Sequence, residues 1–172
     1  MAAPTTEAES VSITRLPSDF EGWQALLDLI LRAFAYMDGV IDPPSSARRL
    51  TRESLKRKCL GETVFAAFDG ASLVGCIFLD DRGDHAYVGK LAVEPSLQGR
   101  GIGRRLMEAA EGEARRRGRR FLELQTRVEL TANHAAFARL GFRETGRTAH
   151  AGYCRPTSLT MRKDLASDAR AE

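Results

Sequence analysis

A glycine-rich hexapeptide between a strand-like run and a helix-like segment most constrains the fold of this chain. Residues 98–103 read Gln-Gly-Arg-Gly-Ile-Gly, after the apolar run 86–93 and at the start of a helical pattern over about 102–117. Glycine lets the backbone approach an anion closely, and the first N–H groups of a helix have no intrahelical partner. With the positive end of the helix dipole, this arrangement predicts a site for a phosphate-like anion. Three arginines add positive charge beside it: Arg100, Arg104 and Arg105.

The spacing of these glycines excludes two familiar phosphate loops. The dinucleotide fingerprint requires G-x-G-x-x-G, whereas the glycines here are Gly99, Gly101 and Gly103. The nucleoside-triphosphate loop requires G-x-x-x-x-G-K-[ST], which does not occur in the sequence. A tight strand-to-helix turn without any ligand would use the same residues, so this alternative stays open.

The length and composition predict one globular α/β domain. The chain has 172 residues, of which 43% are hydrophobic, enough to bury a sizeable core. We expect the domain to span residues 11–165, between polar tails at 1–10 and 166–172. The net charge of +3 suits an anionic ligand but does not require nucleic acid.

The cysteine content argues against a metal site and a disulfide framework. The three cysteines, Cys59, Cys76 and Cys154, are far apart and form no C-x-x-C pair. No basic and apolar leader stands at residues 1–10, and the most apolar window, 25–37, is broken by charges and too short to cross a bilayer. We therefore expect a cytoplasmic protein with reduced thiols, no metal and no membrane partner.

The first third of the chain predicts a strand, two helices and a loop between them. A strand is expected at 11–16, and Ser18 with Glu21 has the spacing of a capping box that starts a helix. The loop 36–46 carries the helix-stopping Gly39, Pro43 and Pro44, and such loops can line a substrate site. A second, basic helix is expected from 47 or 51 to 59. The apolar face of the first helix comprises Trp23, Leu26, Leu27, Ile30, Leu31 and Phe34.

The remainder predicts a three-strand meander followed by a parallel crossover. A strand, a helix and another strand in succession imply a right-handed crossover between parallel neighbours. The glycine turn then lies at the carboxyl end of a strand, where open α/β sheets bind ligands. The strands are expected at 63–68, 72–79, 86–93, 121–126, 142–150 and 158–163, and the helices at 102–117 and 131–140.

Two motifs in this order resemble the GNAT superfamily of acyl-CoA-dependent N-acetyltransferases. Residues 98–103 match the family's Q/R-x-x-G-x-G/A motif. Residues 133–142, Asn-His-Ala-Ala-Phe-Ala-Arg-Leu-Gly-Phe, are similar to its N-x-x-x-Y-x-x-x-G-F stretch. The resemblance covers about residues 11–165. It implies a mixed, mostly antiparallel sheet of about six or seven strands flanked by about four helices, with one parallel pair splayed to form an acyl-CoA slot.

The resemblance also implies a reaction and a cofactor site. We expect acetyl transfer from acetyl-CoA to a primary amine by direct attack in a ternary complex. The implied pyrophosphate site comprises Gln98, Gly99, Arg100, Gly101, Ile102, Gly103 and Arg104. Leu91, Ala92 and Val93 lie on the strand that would pair with the pantetheine arm, and Asn133 and Phe137 lie on the helix that would complete the site.

Phe137 departs from the family pattern, because many members carry there a tyrosine that protonates the departing thiolate. A positioned acid is worth roughly 10²–10⁴ in rate, but a thiolate is a fair leaving group without one. Tyr153 and Tyr36 are possible substitutes.

The base is also open, because the strand 86–93 carries no carboxylate and Glu94 lies just beyond it. His150 has suitable chemistry for a base or relay. Asp38 and Asp42 would instead bind a cationic substrate, and Cys154 is a less direct alternative as an acyl nucleophile.

Two other functions remain open at this point. A non-catalytic module would bind acyl-CoA without turnover, which Phe137 and the missing carboxylate allow. The arginines of residues 115–120 would suit nucleic acid, but no aromatic residues interleave with them, so we expect no such partner. The acceptor stays open among a peptide N-terminus, a lysine side chain, a polyamine, an aminoglycoside and an amino acid. A homodimer is one possible assembly.

Overall fold

The computed structural model describes residues 11–166, and the predicted tails lie outside this range except for residue 166. The helices are α1 (Trp23–Phe34), α2 (Arg52–Gly61), α3 (Ile102–Arg116) and α4 (Thr131–Arg139). The strands are β1 (Ser12–Arg15), β2 (Thr63–Asp69), β3 (Ser72–Asp81), β4 (Ala86–Val93), β5 (Phe121–Arg127), β6 (Arg143–Thr148) and β7 (Ser158–Asp164). Short 3₁₀ turns occupy Ala35–Met37, Ser46–Arg49 and Pro95–Leu97. Among these helices none is long and apolar enough to cross a membrane.

The strands form one seven-stranded sheet in the order β1-β2-β3-β4-β5-β7-β6. All neighbours are antiparallel except β4 and β5, which are parallel. The predicted mixed, mostly antiparallel sheet with one parallel pair is thereby confirmed. The parallel pair is the one that the crossover through α3 requires.

Helices cover both faces of the sheet, and the central strand shows the alternation. Ile77 of β3 belongs to a core cluster with Leu106 and Met107 of α3. The next residue, Phe78, belongs to a second cluster with Leu26 of α1 and Leu55 of α2. Because successive side chains of a strand point to opposite faces, a strand covered on both sides is apolar throughout.

The β4–β5 pair separates almost at once. Within the described residues, β4 pairs with β5 only at Ala86–Leu122 and Tyr87–Glu123. On its other side β4 carries a bulge, since Cys76 pairs with Ala92 but Phe78 pairs with Gly89. A bulge bends its strand and increases the local twist. Beyond residue 87, β4 therefore presents an edge that β5 does not pair.

The start of α1 corrects two expectations from the sequence. The helix begins at Trp23 with Gly22 as its N-cap, so the Ser18–Glu21 pair does not cap it. Instead the Phe20 and Trp23 rings meet edge to face, 5.0 Å apart, and close the preceding turn. The buried face is also rotated from the predicted one, because Leu31 is 38% exposed. The buried side chains are Leu26, Leu29, Ile30 and Ala33.

Ion pairs neutralise the arginines at the end of α3. Glu113, whose side chain is 7% exposed, lies 2.6 Å from both Arg116 and Arg117. Arg117 also donates to the Thr63 hydroxyl at 2.7 Å, and so ties the helix to β2. Arg119 lies 2.8 Å from Asp81. The arginine cluster therefore serves contacts within the domain.

We expect Glu113→Gln to lower the free energy of unfolding by about 1–3 kcal/mol, because it weakens charge-assisted hydrogen bonds to a buried carboxylate. Hydrogen bonding from Arg116, and then Arg117, lowers the pKa of Glu113 from its ordinary 4.5. The stabilisation is therefore complete above the unfolded pKa and is lost as the pH falls through the folded pKa. Urea denaturation at pH 7 and below pH 4 measures both effects.

The control is Glu108→Gln, because Glu108 and Arg104 form an exposed pair on the same helix. It should change stability by no more than about 0.5 kcal/mol. Equal losses in both variants would contradict the role assigned to Glu113.

Candidate active site

A first cleft of about 440 Å³ lies where α3, β4 and α4 meet. A volume of this size is within the range of small-molecule and cofactor sites. The cleft brings together two motifs that are 30 residues apart in the sequence, the glycine turn and the start of α4. The sequence-predicted residues that line it are Leu91, Ala92, Val93, Gln98, Gly99, Gly101, Ile102, Gly103, Arg104, Asn133 and Phe137. Arg100, the twelfth, is exposed on the turn and is not among the lining residues.

The glycine turn leaves the N-terminus of α3 available to a ligand. Gly101 is the N-cap, at φ 81°, and no side chain of residues 11–166 caps the helix there. A Cβ added at Gly101 would meet no atom of the described residues within 4 Å, so its surroundings are open. Gln98 steadies the turn by donating from Nε2 to the Val93 carbonyl at 3.2 Å. The residues present therefore fit an anionic group such as a pyrophosphate.

The nearby arginines contribute unequally to this site. Arg104 lines the cleft and donates to Glu108 at 3.1 Å. Arg105, which the sequence suggested as a further positive charge, donates to the Val11 carbonyl at 2.6 Å and so holds the entry to β1. The positive potential at the turn thus comes from the helix end, Arg100 and Arg104.

A second cleft of about 290 Å³ occupies the gap between the separated strands β4 and β5. It adjoins the first cleft, since Phe34, Tyr36, Leu91, Asn133 and Phe137 line both. The loop 36–46, predicted to line a substrate site, contributes Tyr36, Met37 and Ser46. Three basic residues complete the charged lining: Lys58, Lys90 and Arg127.

Tyr36 stands at the junction of the two clefts. Its hydroxyl accepts a hydrogen bond from Nδ2 of Asn133 at 2.9 Å, which leaves its own O–H free to donate. Phe137, one helical turn after Asn133, is half-buried and meets the Phe142 ring at 6.0 Å. Phe137 therefore has no hydroxyl to donate, but Tyr36, which lines the same two clefts, has one.

The other predicted catalytic side chains lie outside both linings. His150 lies 2.5 Å from the Thr157 hydroxyl and 3.1 Å from Arg127. Burial, and then Arg127, lowers the pKa of His150. Asp38 lines a separate depression near Arg48.

Tyr153 is held by a hydrogen bond to Asp42 instead. It donates to Asp42 at 2.6 Å, and this hydrogen bond raises the pKa of Tyr153. Arg155 also reaches Asp42, at 3.3 Å. Asp42 therefore holds two neighbours of its own chain. Glu94 is likewise engaged, by Arg32 at 2.8 Å.

Lys90 is a lining residue that the sequence did not single out. It occupies the β4 bulge with φ 48°, a conformation that is uncommon outside glycine. Its Nζ lies 3.3 Å from the Ser46 hydroxyl. Burial, and then the charge of Lys58, lowers the pKa of Lys90. No pattern in the sequence predicts the bulge, because the apolar run 86–93 has the pattern of an ordinary strand.

Comparison with known proteins identifies the family. Residues 23–142 match the acetyltransferase (GNAT) family. The chain belongs to this family. It is 33% identical over 143 residues to the IAA acetyltransferase of Azospirillum brasilense, across 82% of this chain and 91% of that protein. The protein is therefore an acyl-CoA-dependent N-acetyltransferase, as the motifs predicted.

Solved structures share the fold. The PaiA N-acetyltransferase from Thermoplasma acidophilum, in complex with coenzyme A, has a TM-score of 0.76 at 18% identity, over 90% of this chain and 99% of that one. The ribosomal-protein-S18-alanine N-acetyltransferase from Escherichia coli has a TM-score of 0.71 at 20% identity, over 91% and 94%. At these identities the likeness concerns the fold alone.

We expect Cys154→Ser to leave the acetyl-transfer rate within about twofold of the unaltered protein. Cys154 is exposed and lines neither cleft, so it is poorly placed to carry an acyl group. Burial raises the pKa of Cys59 to about 11 and that of Cys76 to about 12, which makes both thiols poor nucleophiles. Steady-state rates of free-thiol release measure the effect. Loss of activity, with an acetylated Cys154 peptide in the unaltered protein, would contradict direct transfer.

Proposed function

We propose that the protein transfers an acetyl group from acetyl-CoA to a primary amine of a small molecule or peptide by direct attack in a ternary complex. The observation that carries this proposal is the meeting of two clefts along the unpaired edge of β4. One cleft ends at an uncapped helix N-terminus, which suits the cofactor. The other opens between β4 and β5, which suits the acceptor.

In this proposal the backbone groups of the first cleft, together with Arg104, hold coenzyme A. The N–H groups at the start of α3 bind the pyrophosphate, with Arg104 beside them. The backbone of Leu91, Ala92 and Val93 pairs with the pantetheine arm, because unpaired backbone groups away from water require partners. The same edge supplies N–H groups that polarise the acyl carbonyl.

The chemistry balances with the groups present. When bound, acetyl-CoA supplies a thioester, so that attack by the amine nitrogen forms the amide C–N bond and breaks the C–S bond. Tyr36 is the proposed acid that gives a proton to the departing sulfur, since its hydroxyl is oriented by Asn133 at the junction of the clefts. The attacking nitrogen loses one proton as the amide forms, and that proton, passed directly or through water, restores the Tyr36 hydroxyl. Tyr36 thus supplies the proton that Phe137, which has no hydroxyl, cannot donate.

The acceptor must lose a proton, and the second cleft assists electrostatically. No carboxylate or imidazole is among the residues that line it within the described range. Lys58 and Lys90 disfavour a neighbouring ammonium, because like charges lower the pKa of an amine. We propose that the amine enters neutral, or loses its proton to water in the open mouth of the cleft.

We expect Gly101→Ala to abolish tight binding of coenzyme A. Its left-handed φ of 81° costs an alanine about 1–2 kcal/mol of stability, and the new Cβ enters the open space before the helix N-terminus. Loss of one or two charge-assisted hydrogen bonds to phosphate would weaken binding at least tenfold. Isothermal titration with coenzyme A measures the affinity.

The matched control is Gly118→Ala at the other end of α3. Gly118 has a similar φ of 69° and an equally open Cβ position, so the cost in stability should be similar. It lines neither cleft, so coenzyme A should bind as before. Equal affinities in the two variants would contradict the assignment of the glycine turn to the cofactor.

We expect Tyr36→Phe to lower kcat by about 10- to 100-fold while the KM for acetyl-CoA changes little. The variant removes the proton donor but keeps the ring that lines both clefts. The effect should be at the low end of general-acid catalysis because a thiolate leaves readily. Tyr153→Phe is the rival variant. A loss confined to Tyr153→Phe would move the acid role to Tyr153 and contradict the one proposed for Tyr36.

A further inference from the structure

The charged lining of the second cleft is entirely basic. Lys58, Lys90 and Arg127 line it, and no aspartate or glutamate does so within residues 11–166. Lys58 is compensated, because its Nζ lies 2.5 Å from Glu62. The other two have no such partner. Within residues 11–166 the cleft therefore holds two cations that form no ion pair, although the charge of Glu62 acts on Lys90 from beyond ion-pair distance.

Lys90 and Arg127 form no ion pair with any described residue. The Lys90 ammonium contacts only the neutral Ser46 hydroxyl, at 3.3 Å. The Arg127 guanidinium donates to the Pro43 carbonyl and lies 3.1 Å from His150. Its Nε is buried without a hydrogen-bond partner among the described residues. A buried polar group without a partner is costly and marks a place where a ligand can supply one.

The backbone at Lys90 supports a functional reading of its side chain. A residue other than glycine at φ 48° stores strain, and such strain concentrates at functional sites. Glycine or asparagine would adopt this conformation at lower cost, yet a lysine stands here. Burial lowers the pKa of this lysine, which shows that the site resists an unpaired cation. An incoming anion would relieve that cost.

The rest of the cleft is small, and its lining combines apolar side chains with neutral polar ones. Its volume of about 290 Å³ lies at the lower end of small-molecule sites. The neutral polar side chains are Tyr36, Ser46, Tyr87, Gln125, Thr126 and Asn133. The apolar side chains that line it are Phe34, Met37, Val88, Leu91, Leu124, Leu130 and Phe137. A matching ligand has one anionic end and one apolar part.

We propose that the acceptor is a small amphipathic amino acid, whose carboxylate is held by Lys90 and Arg127 while its amine faces the cofactor cleft. This inference rests on the proposed function and names its substrate class. Two cations without an ion-pair partner disfavour a polyamine or an aminoglycoside, because like charges in a partly buried site repel one another. The guanidinium and ammonium supply the donors that a carboxylate accepts.

The first experiment measures kcat/KM by free-thiol release for the common apolar amino acids, each beside its amide and its decarboxylated amine. We expect the amino acid to exceed its own amide and amine at least tenfold. Lys90→Met should lower kcat/KM for the amino acid by about 10- to 100-fold, mainly through KM. It should lower kcat/KM for the amide much less, since the amide has no carboxylate, and it should leave the KM for acetyl-CoA unchanged. In Lys90→Met the preference for the amino acid over its amide would thereby disappear.

Two further variants keep this test decisive. Lys56→Met removes an exposed lysine of α2 that lines neither cleft, so it should leave the preference intact. Lys90→Asn introduces a residue type that tolerates the left-handed conformation, so it removes the charge without added strain. It should reproduce the effect of Lys90→Met. A loss of preference in Lys56→Met equal to that in Lys90→Met would overturn the proposal.

The outcomes separate this inference from the proposed function. A thermal shift with coenzyme A alone reports the cofactor site, and its absence would overturn acetyl transfer itself. With that shift present, equal or faster turnover of amides, polyamines or phosphoethanolamine would overturn the carboxylate site but leave acetyl transfer. If no amino acid turns over, N-acetyl amino acids should still stabilise the coenzyme A complex. The absence of that stabilisation would also overturn the carboxylate site.

Discussion

The separation of β4 from β5 is the constraint on which the rest of the site depends. Within the described residues two residue pairs join the strands, and beyond Tyr87 the two strands are no longer paired. Unpaired backbone groups in a sheet require hydrogen-bond partners, so the edge of β4 is either covered by another part of the protein or available to a ligand. Here it lines two adjoining clefts, with the N-terminus of α3 at one end and Lys90 near the other.

Charge is distributed in keeping with this geometry. Away from the clefts, arginines meet carboxylates, as Arg117 meets Glu113 and Arg119 meets Asp81. Inside the second cleft, Lys90 and Arg127 form no ion pair with a carboxylate of residues 11–166, and none of the lining residues is acidic. The net charge of +3 would not reveal this difference. Ligand binding depends instead on which basic side chains lack a carboxylate partner.

The sequence predicted the sheet and the lining of the first cleft better than that of the second cleft, for a physical reason. The glycine turn and the strand before it are contiguous, so local pattern is sufficient to place them together. The second cleft is assembled from residues between Phe34 and Phe137 on several elements, and it depends on the bulge at Lys90. Pairing across strands creates that bulge, and no local periodicity encodes it. Likewise, the Ser18–Glu21 spacing was wrong as a helix start, because α1 begins at Trp23 with Gly22 as its N-cap and the Phe20 and Trp23 rings meet at that turn.

Amide hydrogen exchange, measured with and without coenzyme A, tests the central claim most directly. The account predicts slower exchange at residues 99–104, where the helix N-terminus would meet the pyrophosphate, and at residues 91–93, where the β4 edge would meet the pantetheine arm. Protection at both segments would place the cofactor along the unpaired edge. Saturating coenzyme A that protects neither segment, or protects a different face of the sheet, would contradict the account.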